Sequence, residues 1–218
     1  MINYMANMTP NELVSKILSG ERDFAKLILP DMADLREFIP RLNEYLKSQE
    51  LQKQPLLLNN SKLYGLIAPL IFMPYSIMSG ADMSRADMYR ANMYRANMSE
   101  ADMSGANMSG ANMSGADMSE ANMSRADMSR ADMSRADMSE ANMYRADMSG
   151  ADMSRADMSE ADMSEANMSR ADIRGVIGLE LCYSLDNALF NQTIVTENEK
   201  RIIEKAREKL QLFDVREN

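Results

Sequence analysis

Four kinds of side chain recur at spacings that could carry chemistry. Methionine returns every five residues from Met83 to Met168, and thioethers are soft ligands that could relay copper. An aspartate or asparagine precedes each one (Asp82, Asp87, Asn92 and onward), a pattern open to a calcium ladder. Glu100, Glu120, Glu140 and Glu160 recur every twenty residues and could form a carboxylate column for a basic partner. Tyr89, Tyr94 and Tyr144 interrupt a serine row and offer anchor surface of the kind that dominates interfaces. The four glutamates and three tyrosines are the candidate interaction face.

The first two readings weaken on the chain's own composition. It has no histidine, so it lacks the usual general base, the commonest metal ligand and the neutral-pH switch. Cys182 is the single cysteine, which excludes an intrachain disulfide and a thiolate zinc cluster. It reads as a small buried apolar residue. The methionine period is that of a buried position, and Asx side chains ordinarily bond backbone at turns. No Ser-His-Asp set, Cys-His pair or phosphate loop is present, so a non-enzymatic protein without cofactor or metal is expected. Net charge is −9, from 24 Lys+Arg against 33 Asp+Glu, which argues against direct nucleic-acid binding.

What positions these residues is a repeat, Ala-(Asp/Asn)-Met-(Ser/Tyr)-X, unbroken from Ala81 to Arg170. Ala171-Asp172-Ile173-Arg174-Gly175 adds a unit with Ile for Met, and Ser76 to Gly80 is a degenerate unit in register. On an α-helix five residues advance about 500°, which sprays the methionines around every face. On a straight strand an odd period alternates them between two faces. A short extended segment with a corner every five residues buries them all, and coils then stack at the ~4.8 Å spacing of β-ladders. The twenty-residue glutamate recurrence matches four units per coil, which places the glutamates in one column. Like charges so stacked repel unless something offsets them. Arg95, Arg135 and Arg155 in the preceding units, with Arg125 and Arg145 in the following ones, could make a salt-bridged, solvated face. The other reading is a recognition strip for a basic partner. Gly105, Gly110 and Gly115 leave one stretch without projecting side chains, a possible groove.

The repeat resembles that of the pentapeptide-repeat proteins, with Met in place of their usual central Leu or Phe. That resemblance implies an all-β solenoid, a right-handed quadrilateral parallel β-helix with Ala and the central residue inward. The absence of catalytic constellations and a rigid, repetitive, acidic surface point to protein–protein interaction as the expected role, with an unidentified protein partner. An alternative comes from relatives that mimic duplex DNA and bind DNA gyrase. Residues 76–175 share that acidity, with 12 Asp and 5 Glu against 10 Arg, a net of −7. The stretch Glu12 to Phe24 looks like leader sequences of cyanobacterial members.

Three regions follow: an N-terminal helical cap over 1–54, a β-helix over 55–195 with strict repeats at 76–175, and a C-terminal capping helix over 196–218. Counting back from Met78 puts Met73, Ala68, Leu63 and Leu58 inward, together with Ile71, Leu66, Ser61 and Leu56. The most apolar stretch, Leu63 to Met78, is broken by Pro69 and Pro74 and is short of the ~20 residues a membrane span needs, and the apolar run Leu56 to Met73 is a degenerate first coil rather than an anchor. Its outward Leu57, Ile67, Leu70 and Phe72 need a cover. Thr9-Pro10-Asn11-Glu12 reads as a capping box, Gly20 as that helix's end, and Asp34 to Gln49 as a second helix broken or restarted near Pro40. Leu185, Phe190 and Val195 mark a register shift of two, absorbed by a loop at Cys182. Thr196 to Glu199 is a second capping box, and Ile202, Ile203, Ala206 and Leu210 share a helix face. With no signal peptide in view, the cytoplasm is the expected location.

Overall fold

In the computed structural model, which describes residues 6–182, 185 and 188–214, the unit Ala116–Glu120 shows why each repeat position holds its residue type. Ala116 N donates to Met113 O across a tight turn (3.0 Å). Asp117 N donates back to Ala96 O (3.0 Å), while Met118 N and Glu120 N donate forward to Asp137 O (2.7 Å) and Ser139 O (2.9 Å). Only the Ser119 N–H has no backbone partner, and Asp117 Oδ1 accepts it at 3.1 Å. An Asp or Asn at the second position therefore completes the backbone accounting of the unit. This is the backbone role that Asx side chains ordinarily take at turns.

The rungs are parallel bridges between residues twenty apart, Asp82 with Asp102, Asp87 with Asn107 and so on to Asp152 with Asp172. Five-residue units and a twenty-residue ladder make a four-sided coil. At each corner the fifth residue has positive φ, 57° at Arg85 and 58° at Glu120, as the third position of a type II turn demands. Inside, every methionine from Met78 to Met168 is 0% exposed. The alanines fill the remaining room and Ile173 takes the last methionine position. This is a continuous apolar column at about 25 cal/mol per Å² of buried surface, with thioethers adapting to the gaps.

Toward the N-terminus Leu56, Leu58, Leu63, Leu66, Ala68, Ile71 and Met73 are buried as their register requires. Ser61 is buried too, and its hydroxyl donates to Phe24 O while accepting Leu27 N–H, both at 3.0 Å. The ladder begins before residue 55. Asp23, Ile28 and Asp34 bridge to Leu57, Lys62 and Ile67, with Phe24, Leu29 and Leu35 buried as central residues. Pro30 is an inserted residue between Leu29 and the next turn, which disguises the five-residue period. Leu27–Ile28 (β2) in turn pairs in parallel with Ala6–Asn7 (β1).

Helix α1 spans Pro10–Leu18 under the reciprocal Thr9–Glu12 capping box. Helix α2 spans Ile39–Lys47, shorter than the pattern from Asp34 suggested because Leu35 belongs to the coil, and it starts at the restart expected near Pro40, which sits in its first turn. Asn43 of α2 stands where the fourth side of this early coil would be. Its amide donates to Leu70 O (2.7 Å) and its carbonyl accepts Phe72 N–H (2.8 Å). Leu57 and Ile67 are half-buried where their backbone pairs with Asp23 and Asp34 of the early coil, whereas Leu70 stays 53% exposed. Arg22 ties the two helices, donating to Ile17 O, Tyr45 Oη and Gln49 Oε1.

At the other end Gly178, at φ 72°, leads into a 3-10 turn at Leu179–Leu181, after which the ladder resumes with spacing twenty-two, Asn167 to Leu189 and Asp172 to Ile194. The shift of two at the Cys182 loop is thus as the apolar register required. Helix α3 spans Glu197–Asp214, with Ile203 buried and Ile202 and Ala206 half-buried; the side chain of Leu210 lies outside those described. Glu199 joins helix to coil, accepting Thr196 N–H (2.6 Å) and Gly175 N–H (3.0 Å). Among the described residues no helix is long and apolar enough to cross a membrane.

Candidate interaction edge

The twenty-residue ladder sorts the corner residues into four columns. One holds Glu100, Glu120, Glu140 and Glu160 below Gly80. The next corner along the coil carries Arg85, Gly105, Arg125, Arg145 and Glu165. The diagonal corner alternates Arg90, Gly110, Arg130, Gly150 and Arg170. The fourth runs Arg95, Gly115, Arg135, Arg155 and Gly175.

The four glutamates are exposed, each with φ of 58° or 59°. Left-handed backbone costs a non-glycine residue about 1 kcal/mol, so glycine would be the easier occupant of these corners. Their neighbours on the flat side are Asn97, Asp117, Asp137 and Asp157, whose Oδ1 atoms accept the N–H of the serine two residues on at 3.0–3.1 Å. Elsewhere an asparagine below an aspartate donates to it, as Asn107 does to Asp87 (3.1 Å) and Asn122 to Asp102 (3.2 Å). No such relief exists where Asp117, Asp137 and Asp157 stack on one another. The four segments 96–100, 116–120, 136–140 and 156–160 carry seven carboxylates and no Arg or Lys. The three aspartates were missed on the sequence, although they share the glutamates' twenty-residue recurrence.

The flanking arginines do not compensate this edge. Five ion pairs occur among the described residues, and none includes a glutamate of the column. Arg145 instead pairs with Glu165 on its own corner (2.7 Å). That hydrogen bond holds the Glu165 carboxyl below the usual carboxylate range and raises the Arg145 guanidinium.

The tyrosines stand apart from the glutamate column and from one another. Tyr144 and Tyr94 occupy the two adjacent corners and Tyr89 the diagonal one. Each lies under an arginine, with Arg90, Arg95 and Arg145 guanidinium carbons 5.0, 5.2 and 4.8 Å from the ring centres of Tyr89, Tyr94 and Tyr144. Tyr94 also meets Tyr75 edge-on at 5.6 Å. The structure therefore gathers the glutamates and disperses the tyrosines.

Cys182 offers no nucleophile. Its Sγ donates to Met158 O at 3.0 Å, and burial pushes the thiol up to about 12.

A family model for pentapeptide repeats, eight copies, matches residues 75–105, 106–143 and 141–177. No curated protein matches the chain. Among solved structures, a pentapeptide repeat protein from the Arabidopsis thaliana thylakoid lumen is 28% identical, with TM-score 0.42. That likeness covers 43% of this chain and 65% of the other. QnrB1, a plasmid-mediated fluoroquinolone resistance protein, is 17% identical in its trypsin-treated form, covering 68% of this chain and 84% of that one at TM-score 0.45. HetL, involved in heterocyst differentiation regulation in the cyanobacterium Nostoc, is 20% identical, covering 86% and 94% at TM-score 0.26. The scores are low, so assignment rests on the repeat itself. By its unbroken five-residue units and the match over residues 75–177, this chain belongs to the pentapeptide-repeat proteins.

Proposed function

We propose that the protein is a non-enzymatic interaction scaffold, a right-handed solenoid closed by helical caps at both ends, whose Glu100–Glu160 edge receives a basic protein partner. The observation that carries this reading is the column itself: four glutamates one coil apart, beside stacked aspartates, without an ion-pair partner among the described residues. Such a stack costs stability through like-charge repulsion, and at each corner glycine would serve the backbone better. Helices at both ends support the capped reading, since exposed end coils template edge pairing. The organisation proposed keeps the three regions expected from the sequence, 1–54, 55–195 and 196–218, but with the coil ladder reaching back into the first of them as far as Asp23. The test is a pull-down from native extract comparing the parent with E100Q/E120Q/E140Q/E160Q. A partner held by the parent and lost from the variant supports the edge as the interface; identical captures refute it.

The same edge favours a second reading, mimicry of DNA for a topoisomerase. Unchanged gyrase supercoiling at saturating protein would eliminate it.

A further inference from the structure

The corner beginning at Arg95 has the opposite character. A groove of about 810 Å³ runs along it, lined by Tyr94, Arg95, Gly115, Arg135, Arg155 and Arg174 among others. Asp152 is the single carboxylate in the lining, and its Oδ1 is held on Ser154 N–H at 2.9 Å. Arg174 pairs with Asp172. Among the described residues Arg95, Arg135 and Arg155 have no ion pair. Arg135 and Arg155 are one coil apart, so two guanidinium side chains leave corners separated by ~4.8 Å, and Asp132 and Asp152 of the same units, whose Oδ1 atoms accept the Ser134 and Ser154 N–H groups, offset their repulsion only in part. Gly115 makes the hollow. A Cβ there would come within 3.3 Å of Arg95 Cγ, so glycine lets the Arg95 side chain lie along the groove.

What could fill such a groove is limited by what it lacks. The corner N–H groups are committed to the ladder, with Arg95 N on Ser114 O, Gly115 N on Ser134 O and Arg135 N on Ser154 O. A peptide would therefore find no backbone donors to add to, and the lining offers no apolar pocket for its side chains. Single-stranded nucleic acid needs aromatic platforms, but Tyr94 is already met by Tyr75 and by Arg95. Charge alone remains. The arginine corners extend over three coil steps, roughly 14 Å, which is longer than a single small anion.

We propose that this groove binds a linear oligophosphate, with Arg95, Arg135 and Arg155 each meeting phosphate oxygens along the chain. Arginine's planar fork suits that contact.

The experiment is isothermal titration calorimetry at low ionic strength, with inorganic polyphosphate as the probe. Orthophosphate, a polyglutamate peptide and a single-stranded oligonucleotide are the competing probes. Polyphosphate should bind most tightly, and R135Q/R155Q should weaken it by about tenfold or more, as loss of charge-assisted contacts predicts. G115E should abolish binding without unfolding the protein, because Glu100, Glu120, Glu140 and Glu160 already occupy the same backbone conformation. E100Q/E120Q/E140Q/E160Q should bind at least as tightly as the parent, because it removes negative charge one corner away from the groove. Absence of heat with polyphosphate would overturn the proposal. So would equal affinity for orthophosphate, polyglutamate or the oligonucleotide, or binding that survives in both arginine-groove variants.

Discussion

At the scale of single residues, the repeat is a set of separate solutions to separate needs. Methionine at the centre is fully buried within one continuous apolar core. Met128→Ala should lower stability by about 2–5 kcal/mol, and Met128→Leu by less than about 1.5 kcal/mol, because only the first opens a cavity. Denaturant midpoints of the two variants check this. The corner position has the opposite economy. Arg130 sits at φ 58°, so Arg130→Gly should raise stability by about 1 kcal/mol in the same assay. Burial of the central methionine and the Asx role of the second position were legible in the sequence, because a period of five admits no other way to bury one set. The absence of salt bridges to the glutamate column was not legible. Sequence spacing puts arginines one corner away, but it does not reveal that Arg145 reaches along its own column to Glu165 instead of across the corner.

Among elements, the ends differ from the middle by how their backbone groups are satisfied. At the N-terminal end Asn43 substitutes for a missing side of a coil, and at the C-terminal end Glu199 accepts the Gly175 N–H. Burial raises the Glu199 carboxyl, but hydrogen bonds from the Thr196 hydroxyl, the Thr196 N–H and the Gly175 N–H outweigh it and leave the group below its usual value. A carboxyl depressed in the folded state contributes stability that is present above its unfolded pKa of about 4.3 and is lost as pH falls through the folded value. The Gly175 amide should therefore exchange hydrogen faster as pH drops below the usual carboxylate range, after correction for intrinsic exchange. Glu199→Gln should exchange fast already at neutral pH and show a flatter acid-side response. The early coil from Asp23 to Leu35 escaped the sequence reading because Pro30 stretches one unit to six residues and Leu35 falls in step with the helix that follows. Helix α2 was correspondingly drawn too long.

For the whole molecule, the four-sided coil is what turns a repeated sequence into a patterned surface. Substitutions twenty residues apart land in one column, so one edge accumulates seven carboxylates over four coils while the neighbouring corner accumulates arginines. The net charge of −9 conceals this separation. Recognition by either edge would depend on salt, since both are exposed. The central claim is that the glutamate column is uncompensated and kept for binding at a cost in stability. The most direct test is the melting temperature of E100Q/E120Q/E140Q/E160Q beside the parent, at low and at high salt. Removing four stacked charges that have no ion-pair partner among the described residues should raise the melting temperature at low salt, with the gap closing as salt screens the repulsion. A variant that melts below the parent at low salt would show that the column is stabilised by its neighbours, and would contradict the account.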